Sequence, residues 1–369
     1  MRRFPNRRLA AILALGFAPL ALLSSACAAI ASPDGWASPV VAGELLLISH
    51  DDELFAVDSS TFSARWAFPP DGEDIDPVAL YGTPGASTDT VFIPTHKDTL
   101  YAINADDGQL AWPPFETDGS LIGGVVVSED TLYFGSNDGR VYALDVASGS
   151  IRWAPFPTGE PVWSTPALAN GMLLVTSLDG KLYVIDAADG RLAWTFDTGA
   201  GVASPPVVDE ATGQVYLAGF DGKLRAVDLE THEENWSVSA GNWFWTEPLV
   251  SGGVVYAGSL DGKVYAVDAA TGDLVWEPFD TGEPVRSAPV LAGESLIVVN
   301  RAGEVFGLDP ETGVDAFGSP LLLSNDVLAD PLAVEGEDGP LIIIVTTNGN
   351  LIQINPATLQ LVTTRPLGG

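Results

Sequence analysis

The stretch DGKVYAVDAATGDLVW, residues 261–276, recurs with small changes along this chain. Apolar and polar residues alternate in it, which is typical of a half-buried strand, and its two glycines mark turns. Nearly the same phrase occurs at residues 179–194 (DGKLYVIDAADGRLAW) and at residues 138–153 (DGRVYALDVASGSIRW). A phrase that returns at a regular interval indicates a repeat architecture.

Eight copies of the phrase follow one another along the chain. Each has an Asp or Asn eight positions before its closing residue, at intervals of 40–46 residues: Asp58, Asn104, Asp145, Asp186, Asp228, Asp268, Asp309 and Asn355. A period of this length with strand-like segments is typical of propeller blades. The sequence therefore predicts an all-β chain, an eight-bladed β-propeller of four-stranded antiparallel blades over residues 36–369. A seven-bladed ring fits the eight copies less well.

The sixth copy shows how a blade is expected to form. The strands are predicted at residues 246–250, 253–259, 263–268 and 273–276. Asp261-Gly262 predicts a two-residue type I′ hairpin, and Gly272 supplies a left-handed residue before the last strand.

Large rings close seven of the eight copies. They are Trp66, Trp112, Trp153, Trp194, Trp236, Trp276 and Phe317, and Thr363 closes the eighth. One four-stranded blade cannot bury both of its faces alone, so it needs a neighbour on each side. A ring at the end of an outer strand would bury about 150–250 Å² against the next blade. We interpret these rings as structural contacts between blades.

The charge of the chain excludes some partners. The chain carries 16 Lys and Arg residues against 49 Asp and Glu residues, for a net charge of −33. Such a surface repels phosphate backbones and anionic headgroups, so nucleic acid is not an expected partner. The protein is expected to be a monomer.

The first residues have the features of a secretion signal. A basic MRRFPNRR segment precedes the uncharged residues 9–23, which are too few for a membrane span of about 20 residues. The single cysteine, Cys27, follows Leu22-Leu23-Ser24-Ser25-Ala26. This stretch resembles a bacterial lipoprotein box, in which the cysteine becomes the lipidated first residue. We therefore predict a signal peptide at 1–26, a short linker at 27–35 and lipid anchoring at the periplasmic or cell surface. An ordinary secretory signal is the alternative.

The repeat pattern strand–DG–strand–D-x-x-x-G–strand–W resembles that of pyrroloquinoline-quinone-type propellers. One branch of that superfamily contains quinoprotein dehydrogenases, which hold the quinone and a calcium ion on the propeller axis. Another branch is non-enzymatic and includes the lipoprotein of the outer-membrane barrel-assembly machinery. The enzymes are longer than this chain, and many carry an adjacent cysteine pair. The resemblance therefore implies the non-enzymatic branch, with neither quinone nor calcium bound.

One position of the repeat suggests a binding site. Three residues before the Pro, or its equivalent, of each first strand, the copies carry Trp36, Asp74, Leu121, Trp163, Ala203, Trp245, Arg286 and Leu328. This place, called the mouth position below, is expected near the mouth of the central channel. Trp243 and Phe244 lie beside Trp245. Aromatic residues with one arginine are typical of binding hot spots, so the predicted binding face is Trp36, Trp163, Trp243, Phe244, Trp245 and Arg286. The alternative is that these side chains only fill the channel.

The sequence argues against catalysis and metal binding. His50 and His96 fall in turns at one end of a blade and His232 falls in a turn at the other end, so the three cannot form one site. The acidic segment 71–74 does not have EF-hand spacing. We predict a lipid-anchored extracytoplasmic scaffold that binds a protein or peptide partner without catalysis. The alternatives are a quinoprotein dehydrogenase and an extracellular ligand-binding or sensor module.

Overall fold

A computed structural model describes residues 37–50, 52–70, 80–336 and 339–367. These residues form eight four-stranded antiparallel sheets, and Ser32–Gly369 fall into one compact unit. The predicted eight-bladed propeller is therefore confirmed. The predicted signal peptide, Cys27, the linker 27–35, Trp36 and Asp74 lie outside the described residues. Within the described ranges, no helix has the length and hydropathy needed to span a membrane.

The first four blades take their strands in chain order. Blade 1 contains β1 (Val40–Ala42), β2 (Leu45–His50), β3 (Glu53–Asp58) and β4 (Ala64–Phe68). Blade 2 contains β5 (Gly85–Ala86), β6 (Thr90–Pro94), β7 (Thr99–Asn104) and β8 (Leu110–Glu116). Blade 3 contains β9 (Val126–Ser128), β10 (Thr131–Ser136), β11 (Arg140–Asp145) and β12 (Phe156–Pro157). Blade 4 contains β13 (Ala167–Ala169), β14 (Met172–Thr176), β15 (Lys181–Asp186) and β16 (Leu192–Asp197).

The last four blades follow the same order. Blade 5 contains β17 (Val207–Asp209), β18 (Gln214–Ala218), β19 (Lys223–Asp228) and β20 (Glu234–Ser239). Blade 6 contains β21 (Leu249–Ser251), β22 (Val254–Gly258), β23 (Lys263–Asp268) and β24 (Phe279–Asp280). Blade 7 contains β25 (Val290–Ala292), β26 (Ser295–Val299), β27 (Glu304–Leu308) and β28 (Leu321–Leu322). Blade 8 contains β29 (Leu332–Gly336), β30 (Gly339–Val345), β31 (Asn350–Asn355) and β32 (Gln360–Pro366).

The ring closes without exchange of a strand, because blades 1 and 8 each consist of four consecutive strands. Buried side chains form eight core clusters, one between each pair of neighbouring blades. We call the region between two neighbouring blades a seam. The core is thus a series of seams, and each blade is stabilised by its two neighbours.

The fourth strand of blade 6 differs from the prediction. β24 begins at Phe279, and residues 273–276 form only an isolated bridge between Leu274 and Val267. Pro278 lies directly before β24 and has no N–H to donate to a sheet ladder. Blades 3 and 7 share this pattern, with outer strands that begin after Pro155 and Pro320.

The Asp-Gly hairpins also differ from the predicted type I′ turn. Gly262 has a φ of +85°, whereas Asp261 is not among the described residues with positive φ. The N–H of Gly262 donates to the Ser259 carbonyl at 3.1 Å, and the N–H of Ser259 donates to the Lys263 carbonyl at 2.9 Å. These bonds define a three-residue loop in which a type I turn precedes a left-handed glycine. The prediction was wrong because the loop holds one residue more than the Asp-Gly pair.

The aspartate of this hairpin also accepts hydrogen bonds from outside the hairpin, which the sequence analysis did not predict. Asp261 accepts a hydrogen bond from the Tyr265 hydroxyl at 2.7 Å and another from the N–H of Gly241, in the preceding connection, at 2.8 Å. Blades 3 and 4 repeat the Asp–Tyr bond. Burial, and then the hydrogen bond to Asp179, raises the pKa of Tyr183 to about 12. The hairpin aspartate therefore ties each such blade to the connection that enters it.

The closing tryptophans lie at the seams. Trp153 is 8% exposed and packs on Gly190 of the next blade, so closely that a Cβ on this glycine would lie 2.7 Å from the indole. Its N–H donates to the Ala187 carbonyl at 3.2 Å. Corresponding indole-to-carbonyl bonds come from Trp66, Trp112, Trp236 and Trp276. Trp194 instead stacks on His232 at 4.2 Å between ring centroids.

Candidate functional site

The observed starts of the first strands change which residue occupies the mouth position in two blades. β13 begins four residues after Trp163, and β21 begins four residues after Trp245. By the same count, β5 assigns Tyr81 to this place rather than Asp74, and β9 assigns Ile122 rather than Leu121. Leu121 is completely buried in the core between blades 2 and 3. The prediction erred because blade 2 has a second proline, Pro84, closer to its strand than Pro77, and blade 3 has no proline there to align.

The seven described residues at the mouth position line a single cavity. They are Tyr81, Ile122, Trp163, Ala203, Trp245, Arg286 and Leu328, and the cavity volume is about 370 Å³. The cavity lies at the end of the ring that carries the turns between second and third strands, because the chain enters each first strand from that end. We call this the mouth end and the opposite one the turn end. The position four residues before each first strand thus places side chains from seven blades around one cavity.

Aromatic rings and one cation cover part of the rim of this cavity. Phe220 stacks on Trp243 at 4.7 Å and on Trp245 at 5.5 Å between ring centroids. The guanidinium of Arg286 lies over Trp245, 4.9 Å from the ring centroid. Trp243 is 44% exposed. The result is a flat apolar surface that remains open to solvent and carries a cation at its inner edge.

The sequence analysis did not include Phe220 in the predicted binding face. It precedes the Asp221-Gly222 hairpin, in the place taken by His50 and His96 in the first two blades. The available signal was its aromatic residue type at a hairpin tip of the mouth end, since aromatic residues are enriched in binding hot spots.

Phe244 does not belong to the surface of the mouth. Its side chain is completely buried among residues of blades 5 and 6, with Tyr265 at 5.5 Å between ring centroids. Successive residues of extended chain point in opposite directions, so Trp243 and Trp245 reach the surface while Phe244 points into the core. The predicted place of Phe244 in the binding face was therefore wrong.

Trp163 lies on the far side of the same cavity. Its side chain is half-buried, and its indole N–H donates to the side-chain oxygen of Asn137 at 2.9 Å. This bond fixes the orientation of the ring, because Asn137 lies at the hairpin tip of the neighbouring blade 3. Trp163 and Trp245 thus present two oriented rings to one space.

A second ring of residues lies below the mouth and is held by hydrogen bonds between blades. The N–H of Gly124 donates to Thr165 Oγ1 at 2.8 Å. The N–H of Ala288 donates to Asp330 Oδ1 at 2.6 Å, and Ser38 Oγ donates to Asp330 Oδ2 at 2.8 Å. Each of these side chains belongs to the residue directly before the Pro, or its equivalent, of a first strand.

The Glu247 carboxylate makes no such hydrogen bond between blades in the described part of the ring. Its donor in blade 5 would be the residue at the same place, which is Pro205 and has no N–H. No hydrogen bond or ion pair joins the Glu247 carboxylate to any residue that the structure describes. The carboxylate therefore faces the water of the channel while protein surrounds it.

This environment shifts the protonation of the channel residues. Burial, and then the charge of Asp330, raises the pKa of Glu247 to about 7. Burial also raises the pKa of Asp330, although its hydrogen bonds to Ala288 and Ser38 oppose the rise. Burial lowers the pKa of Arg286, as does the charge of Arg301, while Asp330 opposes this effect. The raised pKa of Glu247 therefore lies close to neutral pH.

The channel does not suit a calcium-bound quinone. Calcium takes six to eight oxygen ligands. Here both Asp330 oxygens already accept hydrogen bonds, and Arg286 adds a positive charge to the same cavity. Glu247 is then the one carboxylate among the described lining residues with both oxygens available for a cation. In the described part of the chain, no group of three or more His, Cys, Asp or Glu residues could hold a metal ion. The three histidines are separated, with His96 against Tyr81 at the mouth end and His232 against Trp194 at the turn end.

A family model and two solved structures are similar to this chain over most of its length. A family model described as outer membrane protein assembly factor BamB matches residues 26–154, 115–231 and 211–369. The solved structure of BamB from Moraxella catarrhalis is 20% identical, with a TM-score of 0.70, and the alignment covers 85% of this chain and 92% of that one. The computationally designed Ika8 protein is 12% identical, with a TM-score of 0.72, and the alignment covers 86% and 95%. No curated protein matches the sequence. At these identities the two structures support the fold.

Proposed function

Because this chain belongs to the family described as outer membrane protein assembly factor BamB, we propose that it is a non-catalytic scaffold that binds a protein partner outside the cytoplasm. The family model carries an assembly role in its name, and the matched segments together span residues 26–369. The chain supplies a rigid ring whose mouth end presents loops from eight blades. Loops on a rigid frame are a common basis for protein binding.

The observation that carries this proposal is the composition of the mouth. Trp163, Trp243 and Trp245 leave ring surface accessible, and Arg286 lies against Trp245 rather than extending into bulk solvent. Tryptophan and arginine dominate binding hot spots because they offer a large apolar area with oriented donors. A peptide loop laid across the mouth would cover the rings and place a carbonyl or carboxylate near Arg286.

Anchoring by lipid at Cys27 is the second part of the proposal. The single cysteine follows a basic segment and an uncharged apolar segment, which is the order found in lipoprotein signals. One acyl chain binds a membrane only marginally, so stable anchoring requires the several chains of a bacterial lipoprotein. A lipid at Cys27 would hold the ring at a membrane surface while leaving its loops free.

Substitution of the two mouth tryptophans tests the binding proposal. The full-length double variant Trp163→Ala/Trp245→Ala should lose the partners that crosslink to the parent protein in intact membranes. Its melting temperature should change little, because both side chains are partly exposed. The matched control is Leu274→Ser/Val314→Ser, which removes two exposed apolar side chains at the turn end. Partner recovery that survives the tryptophan changes but fails in the control would refute the assignment to the mouth.

A second candidate function, binding of a small cationic ligand, is favoured by Glu247. The mouth cavity of about 370 Å³ lies within the usual range of small-molecule sites, and this carboxylate points into it without a protein partner. Native mass spectrometry of the purified protein would show a bound small molecule that Glu247→Gln releases. A spectrum identical for the parent and the variant would argue against this second function.

A further inference from the structure

The seam between blade 8 and blade 1 lacks the closing tryptophan that packs against the next blade at six other seams. Thr363 takes the place of the closing tryptophan, and β31 pairs it with Gln353. In blade 3 the residue that corresponds to Gln353 is Ala143, and in blade 5 it is Ala226. The receiving glycine of the next blade is replaced by Phe62, which has a φ of +55°. This seam also has the smallest core, with six buried residues against seven to eleven elsewhere.

The indole-to-carbonyl hydrogen bond found at five other seams is missing here as well. At the seam between blades 3 and 4, Trp153 and Tyr133 both donate to the carbonyl of Ala187. The equivalent carbonyl in blade 1 belongs to Ser59, and no described residue of blade 8 donates a hydrogen bond to it. Blade 8 carries Ile343 and Thr363 where blade 3 carries Tyr133 and Trp153, and neither of these two can replace the indole N–H.

A cleft of about 570 Å³ lies at this seam, on the turn end of the ring. Its lining residues come from both blades and include Phe62, Gln353, Val362 and Arg365. Gln353 is 5% exposed, and its amide nitrogen has no hydrogen-bond partner. A buried amide N–H₂ without an acceptor is unfavourable, so a ligand that supplies the acceptor gains by that bond. This unpartnered donor distinguishes the cleft from an ordinary surface groove.

Among the described residues that line the cleft, Arg365 is the one cation. The Arg365 guanidinium lies 5.9 Å from the centroid of the Phe62 ring and donates to the Phe62 carbonyl at 3.3 Å. No described Asp or Glu forms an ion pair with Arg365. A cation that no described acidic residue pairs with attracts a carboxylate, because a guanidinium forms strong, bidentate hydrogen bonds to such a group.

We propose that the cleft between blades 8 and 1 binds an extended peptide segment of another protein, which inserts a tryptophan into the place that this chain leaves vacant. The inserted ring would pack on Phe62, and its N–H would reach the Ser59 carbonyl, as the indoles reach the equivalent carbonyl at five other seams. A backbone carbonyl of the segment would accept the hydrogen bond from Gln353, and an acidic residue would meet Arg365. The site lies at the turn end, so it is distinct from the mouth of the proposed scaffold function.

The chain itself supplies a probe for this site. Residues 191–197, RLAWTFD, form the tryptophan-bearing outer edge of blade 4 and end in an aspartate. A labelled peptide of this sequence should bind the full-length protein at least tenfold more tightly than RLAATFD, measured by fluorescence anisotropy. The triple variant Phe62→Gly/Gln353→Ala/Thr363→Trp gives the seam the residues of the other seams. This variant should lose at least tenfold in affinity for the RLAWTFD peptide.

Two further variants keep the test decisive if the triple variant does not fold. Gln353→Leu conserves the volume but removes the amide donor, so it should weaken peptide binding by about three- to tenfold. Leu274→Ser, which changes an exposed residue of blade 6 away from the cleft, should leave binding unchanged.

Three results would overturn the proposal. They are no binding by the parent protein, equal binding of the two peptides, and binding that the triple variant or Gln353→Leu leaves intact. Self-association of the parent that the triple variant abolishes, without peptide binding, would assign the cleft to a second copy of the chain instead.

Discussion

Truncation of Trp153 measures how much one seam contact contributes to stability. The indole is 8% exposed, packs on Gly190 and donates a hydrogen bond to the Ala187 carbonyl at 3.2 Å. Trp153→Ala should lower the free energy of unfolding by about 3–5 kcal/mol, since it removes a large buried ring and leaves a cavity. Roughly 1 kcal/mol of this loss comes from the hydrogen bond.

Trp243→Ala is the matched control, because the same truncation removes a ring that is 44% exposed at the mouth. Its expected cost is about 1 kcal/mol or less. Urea unfolding followed by far-ultraviolet circular dichroism compares the variants without relying on tryptophan emission. Free energies of unfolding within 1 kcal/mol of each other for the two variants would refute the seam interpretation of Trp153.

The same contact can be tested from the other blade. A Cβ on Gly190 would lie 2.7 Å from the Trp153 ring, and the residue has a φ of +74°. Gly190→Ala should therefore cost about 1–3 kcal/mol, through overpacking and backbone strain. In a Trp153→Ala background the added Cβ has no indole to overlap, so Gly190→Ala should lower the free energy of unfolding by less. An equal loss in both backgrounds would contradict direct contact between Gly190 and Trp153.

Three further predictions concern the anchor, the channel and the cofactor. Cys27→Ser should leave the ring folded but move the protein from the membrane to the soluble fraction, or block its processing; unchanged fractionation and gel mobility would contradict lipidation. Because the pKa of Glu247 is raised to about 7, its contribution to stability is present below the ordinary pKa near 4.5 and is lost as the pH rises through 7. The melting temperature of Glu247→Gln should therefore fall less between pH 5 and pH 8 than that of the parent, and parallel curves would contradict the shift. Pyrroloquinoline quinone with calcium should neither bind nor support dye reduction with alcohols or sugars; stoichiometric reconstitution of such an activity would favour the dehydrogenase alternative.

The repeat and its number were readable from the sequence because each blade is a local structure. Its strands pair with their neighbours in chain order, and its turns need glycine at set places, so the period of Asp268, Gly272 and Trp276 recurs in the other blades. The third strand of the sixth copy was predicted at residues 263–268 and is observed there. The loop type at Asp261-Gly262 was missed, because the residue pair alone does not set the loop length.

The family resemblance also followed from local spacing, but the surface of the mouth did not. Trp163, Trp245 and Arg286 were found by counting back from first strands, since strand starts are nearly equivalent in every blade. Phe244 was misplaced because only the direction of the chain above blade 6 decides which of three adjacent aromatic residues points inward. Tyr81 and Ile122 were missed because prolines mark strand starts imperfectly.

Contacts between distant blades were decided by the tertiary structure alone. Glu247 and Asp330 are far apart in the chain, yet closure of the ring brings their charges close enough to interact across the channel. The seam between blades 8 and 1 joins the two ends of the propeller, so no local pattern connects Phe62 with Arg365. The blades could be predicted from the repeated sequence, because their hydrogen bonds and turns are local. Only the closed ring determined the cavities, because each is lined by residues that no single repeat contains.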